Sequence, residues 1–99
     1  MDENTNITVT FRHTEPTEAL KNHAIDKITH FLKKYDIKEG VEATITLTVE
    51  KRDHTADVRI IALGFELSAS ETTEDLYSAI DKVIAPLEAQ VRKQKGKRN

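Results

Sequence analysis

Apolar and polar residues alternate along four stretches of this 99-residue chain and recur at helical spacing along two others. In "NITVTFR", Ile7, Val9 and Phe11 alternate with Thr8, Thr10 and Arg12, the period-two pattern of a strand with one buried face. "VEATITLTVE" sets Val41, Ala43, Ile45, Leu47 and Val49 against Glu42, Thr44, Thr46, Thr48 and Glu50. After a polar turn at "KRDHT", "ADVRIIALG" predicts a third strand with Ala56, Val58, Ile60 and Ala62 on one side. "FELSAS", beyond Gly64, predicts a short fourth that completes a meander.

Two segments carry the other period. Leu20, Ala24, Ile28, Phe31, Leu32 and Tyr35 recur at spacings of mostly three and four, and Thr17-Glu18 suits a helix start, so a helix is expected over about residues 17–35. Leu76, Ile80, Val83, Leu87 and Val91 form the stripe of a second, opened after "ETTED" with Thr72 or Thr73 as cap. Inside it Pro86 removes an amide donor and leaves the Lys82 carbonyl without its helical partner, which predicts a bend. The order β-α-β-β-β-α is an α+β class, a four-stranded sheet whose one apolar face both helices cover.

Length allows one domain, expected over residues 1–95, with 96–99 a flexible basic tail. Charge is divided: residues 1–81 hold 9 Lys/Arg against 16 Asp/Glu, a net of −7, whereas residues 82–99 hold 6 against 1, a net of +5. An anionic partner for the C-terminal part is one explanation and simple solvation is the other. The absence of cysteine removes disulfides, thiolate zinc sites and cysteine nucleophiles, and accords with a cytoplasmic protein. The N-terminus is acidic where a signal peptide is basic and then apolar, and no apolar run approaches the roughly 20 residues of a membrane span.

Catalytic and metal chemistry find little support. His13, His23, His30 and His54 include no i,i+4 pair with a nearby third ligand. Glu74, Asp75 and Asp81 are accounted for by helix capping and solvation, and no phosphate loop, G-x-S-x-G or H-E-x-x-H is present. No enzyme activity, cofactor, metal or small-molecule substrate is therefore expected. The outer sheet face offers threonine and acids rather than aromatic stacking platforms, which argues against RNA recognition through the sheet.

The helices differ from the sheet. His23, Lys27, His30 and Lys34 follow at spacings of four, three and four, one exposed stripe flanked by Lys21 and Lys33. The second helix adds Lys82, Arg92, Lys93, Lys95 and Lys97, with Arg98 beyond. Side-by-side helices would join these cations into one surface suited to a phosphate backbone, with the acidic remainder orienting the docking.

"VEKRDHTADV", "ELSASETTEDLYSAID", "LEAQVRKQKGK" and "TEALKNHAIDKI" together resemble the short ribosome hibernation-promoting factors and the related ribosome-associated translation inhibitor, the sigma modulation protein family. The resemblance spans nearly the whole chain, most specifically at Asp75-Leu76-Tyr77 and Ala79-Ile80-Asp81. It implies two parallel helices on one sheet face, similar to double-stranded-RNA-binding domains. It also implies a partner, the small ribosomal subunit and its rRNA, bound in the mRNA and tRNA decoding channel, so that ribosomes stay inactive in stress or stationary phase. By the same resemblance Lys21, Lys27 and His30, Lys51 and His54, and Lys93, Lys95 and Lys97 face RNA.

The chain departs from the family where Lys-Leu-x-Arg-Gln is common: Pro86-Leu87-Glu88-Ala89-Gln90 lacks two cations, for which Lys82 and Arg92, each about one turn away, are expected to compensate. Its length fits the short class, expected to be monomeric. A general structured-RNA-binding or protein-interaction module on the same fold is the alternative.

Overall fold

Strand β1 (Thr5–Arg12) pairs in parallel with β2 (Val41–Glu50), Thr5 opposite Val41 and Phe11 opposite Leu47. A parallel pair needs a long crossover, and helix α1 (Glu18–Lys34) supplies it. β3 (Asp53–Ala62) and β4 (Phe65–Thr73) continue as an antiparallel meander, so the sheet order is β1-β2-β3-β4, and α2 (Leu76–Lys97) closes the chain. The computed structural model describes residues 5–97, with side chains for 5–94.

Register places the apolar set of each strand on one face: Ile7, Ala43, Ile60 and Leu67 form one row across the sheet, and Val9, Ile45, Val58 and Ala69 the next. Ile28 and Phe31 of α1 and Ile80, Val83 and Leu87 of α2 are buried against that face. α1 lies beside β1, α2 over β3 and β4, and the helices pack on each other. Each fully buried side chain of this kind contributes about 1.5–3 kcal/mol. The α+β, two-layer architecture is the expected one, and Phe11 and Phe65 pack against the core rather than on the outer face.

The helix ends are built from local chemistry. Thr17 caps α1, its hydroxyl accepting the Leu20 N–H at 3.1 Å. Beyond Tyr35, Asp36 adopts φ 56° while Ile37 N–H reaches the Leu32 carbonyl at 2.9 Å and Asp36 N–H the Lys33 carbonyl at 3.2 Å, a Schellman stop with aspartate where glycine is usual.

Three local expectations are corrected. The "KRDHT" turn is only Lys51–Arg52, because Asp53, His54 and Thr55 already pair with Glu50, Val49 and Thr48. β4 runs on to Thr73, and Thr72 bonds Thr55 across the sheet, hydroxyl to hydroxyl at 2.8 Å. The α2 cap is therefore Asp75, whose carboxylate accepts the Ser78 N–H at 2.8 Å, while the Thr73 hydroxyl braces the Asp75 backbone. Threonine suits both a strand and a cap, and here the ladder with β3 takes it. α2 continues through Pro86 to Lys97, two residues into the segment expected as a tail.

Candidate nucleic-acid interface

α1 and α2 run side by side and meet in a ladder of cross-helix contacts. The His23 imidazole Nε2 lies 2.8 Å from the Asp81 carboxylate, which also faces Lys27 Nζ at 3.6 Å. One step along, Lys34 Nζ donates to Glu88 at 2.9 Å, and beyond it an Arg92 guanidinium N–H donates to the Tyr35 hydroxyl at 3.4 Å. The charged rungs repeat at the same interval on both helices, seven residues from Lys27 to Lys34 and seven from Asp81 to Glu88. Seven residues is close to two helical turns, so helices running in the same direction bring both pairs into line.

Charge at the Lys34–Glu88 rung is fixed by the contact. The hydrogen bond to Lys34 holds the Glu88 carboxyl below the usual glutamate range, with Lys34, Arg92 and the Tyr35 hydroxyl adding to it against partial desolvation. The same bond raises the Lys34 ammonium above its ordinary value. Both lysines stay about half exposed, at 45% for Lys27 and 53% for Lys34, and solvent screens pairs of this kind. The ladder is thus charged, accessible and easily opened.

A second group gathers at the other end of α2. Lys51 and Arg52 at the β2–β3 turn and Lys82 on α2 line a shallow hollow with His54, and the carboxylates of Asp53, Glu74 and Asp75 line it too. Lys51 holds the left-handed conformation, φ 58°, at the turn. His54 belongs to the inner side of β3 with Ala56 and Val58, and its Nδ1 is buried without a hydrogen-bond partner among the described residues.

The expected cations are thus divided. Lys21, His30, Lys51, Lys82 and Lys93 are exposed and make no ion pair among the described residues. Lys27 and Lys34 are exposed but paired, and Arg92 is turned toward Tyr35. The Lys95 and Lys97 side chains lie outside the described residues. On α2, Lys82, Pro86, Ala89 and Lys93 follow at spacings of four, three and four, so one stripe is cationic at its ends and neutral between them. The ends are roughly 16 Å apart along the axis at about 1.5 Å per residue.

Sequence reasoning missed Arg52, although it stands in the same turn as Lys51. It also missed Tyr77, 43% exposed and edge-on to the His23 ring at 5.1 Å. Asp81 and Glu88 were legible only as surface acids, because the partners that matter lie 54 and more residues away. Among the described residues no group of three or more His, Asp or Glu is placed to hold a metal ion, and no helix is long and apolar enough to cross a membrane.

Fold and surface together define a small α+β domain that presents cations from two parallel helices and one hairpin around an acid-laced seam. The chain belongs to the Sigma 54 modulation protein / S30EA ribosomal protein family, whose model matches residues 7–99. It is 34% identical over 91 residues to the ribosome hibernation promoting factor of Escherichia coli K12, covering 92% of this chain and 94% of that protein. It is 37% identical over 87 residues to the ribosome hibernation promotion factor of Lactococcus lactis, covering 86% of this chain and 46% of that protein. Among solved structures, the N-terminal domain of Thermus thermophilus Protein Y superposes with a TM-score of 0.78 at 26% identity, covering 89% of this chain and 97% of that one. A ribosomal subunit interface protein from Coxiella burnetii shares the fold, with a TM-score of 0.81 at 21% identity over 92% of this chain and 98% of that one.

Proposed function

We propose that this protein is a cytoplasmic, non-enzymatic ribosome hibernation factor. It binds the small ribosomal subunit through its rRNA, occupies the mRNA and tRNA decoding channel, and keeps ribosomes inactive under stress or in stationary phase. The observation that carries this reading is the likeness, along nearly the full length of both chains, to the Escherichia coli hibernation promoting factor. The exposed Lys21, His30, Lys51, Lys82 and Lys93, with the paired Lys27 and Lys34 and the Arg92 beside Tyr35, support it as phosphate-directed groups. Lys95 and Lys97 extend the cationic sequence, and His54 borders the hollow beside Lys51. Phosphate contacts supply affinity without sequence preference, and the shape of a folded RNA surface supplies selectivity.

A density-gradient profile of ribosomes with and without the protein tests this. Co-sedimentation with small subunits that weakens steeply as salt rises is expected. Failure to co-sediment at low salt overturns the proposal. Replacing Lys93, Lys95 and Lys97 with Ala should loosen binding, and unchanged affinity would remove those residues from the mechanism.

The neutral gap at Pro86 and Ala89 favours a second reading, a general binder of structured RNA. Competition between ribosomes and unrelated duplex RNA separates the two, and equal affinity selects the general binder.

A further inference from the structure

We infer that Asp81 and Glu88 act as built-in counter-anions that occupy Lys27 and Lys34 until an array of RNA phosphates displaces them, and thereby set the selectivity of the helix surface. The inference rests on the ribosome-binding reading above and adds a control to the same surface.

Both acids lie on the side of α2 that meets α1, and each faces a lysine of the α1 stripe: Glu88 holds Lys34 at 2.9 Å, and Asp81, whose shorter contact is with His23 at 2.8 Å, lies 3.6 Å from Lys27. Neither acid caps the helix, although Glu88 also faces Arg92 one turn on and the Tyr35 hydroxyl. The N-terminal cap is Asp75, and Asp81 and Glu88 stand five and twelve residues beyond the first residue of α2. Glutamate is ionised at neutral pH, and the contact with Lys34 lowers the Glu88 carboxyl further, so both charges of the pair are present where binding is measured.

A phosphate can use Lys27 or Lys34 only by breaking a pair already made. One or two stray phosphates gain little from that exchange. A surface that offers several phosphates at once in the matching shape also engages the unpaired Lys21, Lys51, Lys82 and Lys93, and the combined gain opens the ladder. The acids therefore weaken binding to any RNA, and weaken it most where the fit is poor.

The amide variants Asp81→Asn and Glu88→Gln keep shape and remove charge, so the test uses them singly and together. Asp57→Asn, an exposed acid on β3, makes the same change of net charge as either single variant, and Asp57→Asn with Glu42→Gln, exposed acids on β3 and β2, the same change as the double, away from the helices. Affinity for small subunits and for an unrelated RNA duplex is measured across a salt series. The double variant is expected to bind the duplex several-fold tighter. Its log affinity should fall with log salt more steeply by about 0.7–0.9 per freed lysine, and its preference for subunits over duplex should shrink. In a Lys34→Ala background Glu88→Gln should gain less than in the wild-type background, by the share that freeing Lys34 supplies.

Equal gains from the charge-matched sheet variants would reduce the effect to net charge and overturn the inference, as would a double variant no tighter than wild type. A wild-type protein that does not bind subunits at low salt sinks the ribosome-binding reading itself, and the inference with it.

Discussion

Gln90 holds Ser68 by both of its backbone polar groups. The Gln90 Oε1 accepts the Ser68 N–H at 3.1 Å and the Gln90 Nε2 donates to the Ser68 carbonyl, while Gln94 Nε2 donates to the Glu66 carbonyl at 3.3 Å. β4 is an edge strand, and these α2 side chains occupy hydrogen-bonding groups that a further strand would take. They also fix the helix that carries Lys82 and Lys93 against the sheet.

Replacing Gln90 with Ala removes both bonds, each worth about 0.5–1.5 kcal/mol. The thermal midpoint should fall by about 4–8 °C per kcal/mol lost, the sensitivity of a domain this size. Gln90→Glu keeps the acceptor and loses the donor, so calorimetry should place it between the two.

Lys51 separates function from stability. Its φ of 58° is a region that costs a side-chain-bearing residue about 1–2 kcal/mol, and glycine escapes that cost while losing about 0.4–1 kcal/mol to a freer unfolded chain. Lys51→Gly should therefore hold or raise stability by up to about 1.6 kcal/mol in urea melts. The same variant should bind small subunits more weakly, and equal affinity would remove Lys51 from the interface.

The Lys34–Glu88 rung makes stability depend on pH in a stated direction. Glu88 titrates lower in the folded protein than in the unfolded chain, so its contribution is present above the ordinary glutamate value, about 4.3, and is lost as pH falls through the lowered folded value. Lys34 titrates higher when folded, so its share persists through neutral pH and is lost as pH rises through the raised folded value. The difference in melting temperature between wild type and Glu88→Gln should be steady near neutrality and shrink in acid. A difference unchanged in strong acid would show that charge plays no part.

Pro86 interrupts both the hydrogen bonding and the charge of α2 at one position. Proline in a helix interior is about 3 kcal/mol less favourable than alanine, so Pro86→Ala should raise the melting temperature. Pro86→Lys should do so too and also steepen the salt dependence of subunit binding by about 0.7–0.9. Identical binding by the Ala and Lys variants would place this stripe outside the RNA contact.

What could be read from the chain alone follows from range. Alternation in "VEATITLTVE" and the stripe from Leu20 to Tyr35 are local patterns, and the strands and helices they announce are the observed ones. The family resemblance was legible in "ELSASETTEDLYSAID", and the family model spans that segment. Local chemistry failed where one residue type serves two structures, as at Thr72 and Thr73, or where a tight turn lacks its usual glycine, as at Lys51–Arg52. Helical spacing identified the lysine stripe on α1 but not the carboxylates facing it, because Asp81 and Glu88 reach it only after the sheet has formed.

Those long-range pairs bear on when the surface comes into being. His23 meets Asp81 across 58 residues and Arg92 meets Tyr35 across 57, so the α1 half of the seam is synthesised well before the α2 half. While α2 is still inside the exit tunnel, α1 lacks the acids of its seam and β4 lacks the glutamines that hold its edge. Domains fold as units once enough chain has emerged. A protein proposed to silence ribosomes thus lacks its joined two-helix surface until α2 has emerged from the ribosome making it.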